Sequence, residues 1–390
     1  MKTNHITFYQ FCSAVRRNAA LAFCVALCML GLGLSASAQK HGPTFTTFDA
    51  PGAGTDPNGG TYAWGINDQG VIMGWYLDAN FVHQSFLRDP HGRFTTVAVP
   101  GAGTGWCQGT LAWGLNLEGA ITGNYIDPND VFHGFLRDPH GRITTFDAPG
   151  AGTTGVPFSC GGQGTYGGES INPEGAIAGF YSDSNGVLHG LLRARDGTIT
   201  TFDAPGAGTS AGQGTSLNAW TSVVDGLNPA GAITGSYIDG NNVNHGFLRD
   251  PHGTFTTIDA PGAGITGDHG TWPNSINPEG AIVGAVCDDG GMCQSFLRNP
   301  RGRFTTFQVP GEGNESTTAM HINSVGAITG YYSDANGGAH GFVRAPDGRF
   351  TTIDVPGAPD TVPNSINSAG VITGWYVDAN NVAHGFLWTP

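Results

Sequence analysis

The sequence predicts an all-β fold, a seven-bladed β-propeller of four-stranded antiparallel blades. Three observations lead there. First, three phrases each recur seven times along the chain. One reads "FTTFDAPGAGT" or a close variant, starting at Phe45, Phe94, Ile143, Ile199, Phe255, Phe304 and Phe350. One follows "INPEGAITGYY", starting at Ile66, Leu115, Ile171, Leu227, Ile276, Ile322 and Ile366. One follows "HGFLR", around Phe86, Phe135, Leu191, Phe247, Phe296, Phe342 and Phe386. A period of about 40–50 residues belongs to propellers, solenoids and arrays. Second, each unit reads as four short strands joined by turns. Third, the repeated part opens on a lone fourth strand, Phe45–Asp49, and ends on a third strand, His384–Trp388. The first can complete the blade begun by the second, so the ring closes and leaves no open edge. An open solenoid is the rival, and it gives no reason for a missing strand at the opposite terminus.

In chain order, the first element is a targeting segment. Arg16 and Arg17 precede an apolar run from Ala19 to Leu34 and then Ser35-Ala36-Ser37-Ala38. Charge, apolar stretch and small-residue site are the parts of a secretory signal peptide, with cleavage expected after Ala38. The run is shorter than the ~20 residues of a membrane span. Its removal takes three basic residues and no acidic one, moving the formal charge from −14 to −17. A chain so acidic lacks the basic footprint of a nucleic-acid binder. Charged residues are only 12% and glycines number 64, yet 39% is hydrophobic, too much for a disordered chain. Residues 39–390 are therefore expected to form one exported domain, secreted or periplasmic, without a further membrane span and monomeric.

The second unit shows the strand logic. Its strands are expected at Leu111–Asn116, Ala120–Ile126, Phe132–Arg137 and Arg142–Asp147, here called a to d. Ile, Thr, Phe and Tyr suit pleated strands. The turns between them carry Asn, Asp, Pro and Gly, which supply side-chain acceptors, a fixed φ and a positive φ respectively.

These phrases resemble the bacterial extracellular HAF-repeat family, named for a His-Ala-Phe triplet. The resemblance covers almost all of residues 44–390. The triplet is His-Gly-Phe at His133, His245, His340 and His384, His-Gly-Leu at His189, and Gln-Ser-Phe at Gln84 and Gln294. The resemblance implies export and repeat structure, and it carries over no catalytic residue.

Comparison among the units separates scaffold from site. Residues present in every unit serve what every blade needs. Asn67, Asn116, Asn172, Asn228, Asn277, Asn323 and Asn367 hold one a–b turn slot and read as turn caps. The recurring His read as intra-blade hydrogen bonders, and the arginines ending strand c as a solvated rim or intra-blade contacts. The b–c turns each open on an aspartate (Asp78, Asp127, Asp183, Asp239, Asp288, Asp334, Asp378), read as turn formers. They lack the spacing of a calcium loop, and calcium is the only cofactor left open. They should make the b–c and d–a face acidic.

Slots that vary are freer to serve one site. Two positions before the Ile or Leu closing strand a stand Trp64, Trp113, Glu169, Asp225, Asn274, Met320 and Asn364. If strand a lines the central channel, Trp64 and Trp113 can stack on a flat ligand, and Glu169 with Asp225 can serve acid–base chemistry. The connections Pro149–Ile171 and Pro205–Leu227 are the longest, which points to the loop face near blades three and four. Trp106, Phe158, Trp220 and Trp272 lie in the d–a connections of four successive units. Of the cysteines beyond the signal, Cys287 and Cys293 flank one hairpin and should pair, leaving Cys107 and Cys160 as a second candidate pair.

The best-supported function is an exported non-catalytic propeller binding an extracellular or cell-surface glycan, peptide or protein through the loop face. The alternatives are a polysaccharide hydrolase or lyase using Glu169 and Asp225, and a structural or adhesive surface protein.

Overall fold

The computed structural model describes residues 42–156, 161–217, 225–311 and 316–390. The signal-like segment, Phe158, Cys160 and Trp220 lie outside the described residues. Pro43–Pro390 forms one compact unit, and no helix among the described residues is long and apolar enough to cross a membrane.

Seven four-stranded antiparallel blades follow one another. Blade two runs a Gly109–Leu115, b Ile121–Ile126, c Phe132–Arg137 and d Ile143–Phe146, within two residues of the expected boundaries. Blade one runs Gly60–Ile66, Ile72–Leu77, His83–Arg88 and Phe94–Val97. Blade five runs Gly270–Ile276, Ile282–Cys287, Cys293–Arg298 and Phe304–Phe307. Blade six begins with Ser316–Ile322 and Ile328–Ser333. Blade seven has strands Asp360–Ile366, Ile372–Val377 and Ala383–Thr389 from the chain end. Its fourth strand is Thr44–Phe48, antiparallel to Ala383–Thr389 with Phe45 opposite Trp388. The ring therefore closes as the sequence predicts.

One turn device serves all three turns of blade two. In blade two, Asn116 Oδ1 accepts from Ala120 N, Asp127 Oδ1 from Asn129 N and Val131 N, and Asp138 Oδ1 from His140 N and Arg142 N, all at 2.8–3.0 Å. Each turn then reaches a residue at positive φ: Gly119 (84°), Asp130 (63°) and Gly141 (89°). Side-chain acceptors and glycine thus close the turns that the sequence marks.

The blades are stitched to each other by side chains. A strand-a threonine hydroxyl accepts the backbone N–H just after the preceding strand d in all seven junctions, from Thr61 with Ala50 to Thr361 with Val355, at 2.8–3.3 Å. The a–b turn asparagines do more than cap. Asn116 Nδ2 donates to Asn172 O at 3.3 Å, Asn323 to Asn367 O at 2.8 Å, and Asn367 back to Asn67 O at 3.3 Å. The seven asparagines rim one axial cavity of about 280 Å³, which places the a–b turns around the central mouth.

Four of the six arginines ending strand c reach across blade junctions rather than forming only a solvated rim or intra-blade contacts. Arg88, Arg193, Arg249 and Arg344 lie over Phe48, Phe146, Phe202 and Phe307 of the preceding blade, 4.8–5.2 Å from the ring centres. This is cation–π geometry across blade junctions. Burial lowers the pKa of Arg88, Arg193 and Arg344.

Candidate functional site

The b–c turns and d–a loops share one face, and its chemistry is built from the repeat. His133 Nδ1 meets Asp147 Oδ1 at 2.8 Å, and its Nε2 lies 3.8 Å from Asp127 Oδ2. The ring stacks on Tyr125 at 4.9 Å. His189, His245, His340 and His384 stand in the same Asp–His–Asp bridge. So three recurring slots form one network on the acidic loop face. The sequence holds the signal: the two units with Gln84 and Gln294 in place of His carry Ala98 and Gln308 in place of the strand-d Asp. Asp147 is the largest cause raising the His133 pKa.

The variable strand-a slot lines the axial channel only in part, at Asp225 and Trp113. In blade two the pairing jumps between Ala112 and Gly114, so Trp113 is a β-bulge, and the same jump falls at Trp64, Asn274, Met320 and Asn364. A bulge re-aims its side chain, here toward the next blade. Asn274 and Asn364 donate to Ala319 O and Ala63 O of their neighbours. Trp64 is 8% exposed and packs edge-on against Trp113 at 5.1 Å. Trp64 is therefore an inter-blade core residue, not a free stacking platform.

Glu169 and Asp225 are not brought together. Glu169 is buried with Oε2 unpartnered, and desolvation raises its pKa to about 8. Asp225 lines the axial cavity near the a–b mouth, 44% exposed at its side chain. It accepts from Ser170 Oγ at 2.9 Å and faces His321 Nε2 at 3.6 Å. His321 Nδ1 accepts from Ile366 N, so the proton of the neutral ring sits on Nε2, toward Asp225. The two carboxylates border different cavities.

What the loop face does hold is a cavity of about 520 Å³ at the junction of blades one and two, reached by blade-three strand a. Phe81, Trp106, Trp113, Phe132 and Tyr166 supply aromatic walls, and Asn124 and Glu169 supply polar atoms. Tyr166 and Phe132 stack at 4.3 Å. Trp113 Nε1 donates to Asn124 Oδ1 at 2.6 Å, which fixes the indole. Trp106 is 47% exposed at the rim. The long loop after Pro149 forms a small hairpin, Gly155–Val156 with Gly161–Gly162, and Gly162 O accepts from the Tyr166 hydroxyl at 2.7 Å. The longest loops lie on the same face as this cavity, which sits at the junction of blades one and two and not at blades three and four.

Phe81 is the residue that sequence reasoning missed. It sits in the b–c turn at φ 58°, a position held elsewhere by Asp130, Gly186, Asn242, Gly291, Gly337 and Asn381. Those residue types tolerate the left-handed region, and a bulky aromatic does not. The anomaly was visible in the aligned units.

A second cavity, about 510 Å³, lies at the junction of blades five and six. Trp272, 5% exposed, belongs to its wall. Cys287 and Cys293 border it and are disulfide-bonded, with Cα atoms 4.0 Å apart. Cys107 is also disulfide-bonded and borders the first cavity. Among the described residues no cluster of three or more His, Cys, Asp or Glu is arranged to hold a metal ion.

Neither a protein-family model nor a curated protein matches this sequence. Solved structures do resemble it. A lectin from Burkholderia pseudomallei matches with TM-score 0.51 and 10% identity over 84% of this chain and 95% of that one. A virginiamycin B lyase from Staphylococcus aureus gives 0.49 and 14% over 90% and 100%. The Aleuria aurantia lectin, a six-bladed β-propeller, gives 0.41 and 11% over 80% and 97%. At these identities the likeness is one of fold alone.

Proposed function

We propose that the chain is an exported, non-catalytic β-propeller of the HAF-repeat type that binds a glycan on its loop face, in the cavity between blades one and two. The observation that carries this reading is Phe81, an aromatic held at a backbone conformation its neighbours fill with Gly, Asn or Asp, at the edge of an aromatic cavity. Strain of this kind costs about 1–3 kcal/mol and clusters at ligand sites. Sugar rings offer apolar C–H faces to aromatic walls and hydroxyls to a few placed polar groups. The fixed Trp113 indole, the exposed Trp106 and the Asn124 and Glu169 oxygens are such a set. A lectin from Burkholderia pseudomallei is built on a similar fold, which is consistent with the reading.

The test is a glycan array and titration with residues 39–390, comparing wild type with Phe81→Asn and Trp106→Ala. Binding to a glycan that weakens at least tenfold in both variants, with melting temperature unchanged or raised, is expected. Equal binding by all three proteins, or none by the wild type, overturns the site.

Glu169 favours a second reading, in which its protonated carboxyl donates to the glycosidic oxygen as that C–O bond breaks, while a water molecule adds to the anomeric carbon and its released proton reprotonates Glu169. Asp225 borders another cavity and is no partner for that step. Release of reducing sugar by the wild type but not by Glu169→Gln would support this reading over simple binding.

A further inference from the structure

We infer that the junction of blades five and six is a second saccharide site, so that the loop face binds its ligand bivalently. The inference rests on the glycan reading for its ligand class, and on independent geometry for its location. The two cavities are the same feature of the repeat. Leu77 and Cys287, His83 and Cys293, Leu111 and Thr318, and Asn124 and Tyr331 are equivalent positions and line the first and second cavity respectively.

The blades that open them, one and five, are also the two in which His-Gly-Phe becomes Gln-Ser-Phe. The serine has a direct structural effect. Ser85 Oγ donates to Thr110 O of the next strand a at 2.8 Å, and Ser295 Oγ donates to Thr317 O at 3.1 Å. A hydroxyl cross-link between strand c and the next blade thus marks both cavity-bearing junctions. Each cavity also borders disulfide-bonded cysteine, which stiffens its wall.

The second lining differs from the first in chemistry. Thr318, Ser316, Ser333 and Tyr331 bring hydroxyls where the first cavity has mostly hydrocarbon, and Trp272 remains as a flat wall. His269 Nδ1 is buried without a hydrogen-bond partner, which costs free energy unless a ligand supplies one. Hydroxyl groups that exchange hydrogen bonds with Thr318 and His269 across an indole describe a neutral sugar residue. The two sites then read different residues of one glycan, or two glycans on one surface. Binding two sites on a rigid scaffold raises avidity to a surface by about 10²–10⁴ without any new contact.

The experiment is titration calorimetry with methyl glycosides of neutral hexoses, deoxyhexoses and N-acetylhexosamines. Four proteins are compared: wild type, Phe81→Asn/Trp106→Ala, Ser333→Trp to block the second rim, and Thr318→Val to remove one hydroxyl. Two equivalents for the wild type are expected. One remains in the first-site double variant, and it weakens at least tenfold in Ser333→Trp and Thr318→Val. A single wild-type equivalent abolished by Phe81→Asn/Trp106→Ala overturns the second site and leaves the proposed function standing. A single equivalent lost only in Ser333→Trp and Thr318→Val overturns the first site instead. No binding by the folded wild type overturns both. Melting curves for each variant separate lost binding from lost fold.

Discussion

Two residues carry opposite kinds of strain at the loop-face cavity. Phe81 holds a left-handed backbone conformation, and Glu169 holds a carboxyl in a site that desolvates it. Replacing Phe81 with Asn keeps the turn and removes the conformational conflict. Chemical denaturation should therefore show Phe81→Asn unchanged or about 1 kcal/mol more stable, the lost ring contacts offsetting part of the gain. Glu169 gives a pH dependence. Its folded pKa of about 8 lies above the ordinary 4.5, so the folded state binds the proton more tightly than the unfolded chain. Stability should fall as pH rises from about 4.5 to about 8 and level off above that. Glu169→Gln should abolish this slope and stabilise the protein at pH 7 by about 3 kcal/mol. Parallel denaturation curves for wild type and Glu169→Gln at pH 5, 7 and 8.5 check it. Equal gaps at all three values would show that Glu169 is ionised in the fold.

At the scale of the strand, the Gly of the His-Gly-Phe phrase has a specific cause. A Cβ on Gly190 would collide with the Phe202 ring of its own blade's strand d, and one on Gly134 with Phe146. In these two blades strand d packs its aromatic directly over strand c. In blades four and six the added Cβ would meet Pro273 and Pro363 of the next blade instead, while blade five carries Ser295 opposite Phe307. Gly190→Ala should cost about 1–3 kcal/mol through overpacking. Gly197→Ala makes a different comparison, since it puts a side chain on a turn at φ 95°. Restoration of stability in Gly190→Ala by Phe202→Leu would locate the clash. The strands, their turns, the blade order and the Cys287–Cys293 pair were all legible from the repeat, because each rests on local pattern. What was illegible joins residues about fifty positions apart. The Asn116 amide reaching Asn172 O, and Arg193 over Phe146, are contacts between units that the phrases show only side by side. The strand-a slot misled for a local reason. A bulge shifts the two-residue alternation, so Trp64 and Asn364 face a neighbouring blade although counting aims them at the axis. The Asp147–His133 pair was hidden in plain view, since units lacking the His lack the Asp as well.

At the scale of the ring, closure depends on five residues. Thr44–Phe48 forms the outer strand of blade seven, yet its contacts extend past that blade. Phe45 packs on Phe386 at 6.0 Å. Phe48 packs on Phe86 and Phe94 of blade one and carries the Arg88 guanidinium at 4.8 Å. The His384–Asp49 bond at 2.8 Å adds the fifth Asp–His contact. The first strand therefore completes one blade and is a wall of the junction between blades seven and one. Removing Thr44–Asp49 should cost on the order of 4 kcal/mol or more from the lost phenylalanine burial alone, and should expose the edge of Ala383–Thr389 to association. Removing Gln39–Gly42 takes away nothing that pairs with a blade among the described residues. Melting and light scattering of the two truncations, each lacking the signal-like segment, check the difference. A closed ring requires the longer truncation to melt lower and aggregate while the shorter matches the parent. Identical curves would mean that the last blade holds with three strands and that Phe48 adds nothing to the blade-one junction.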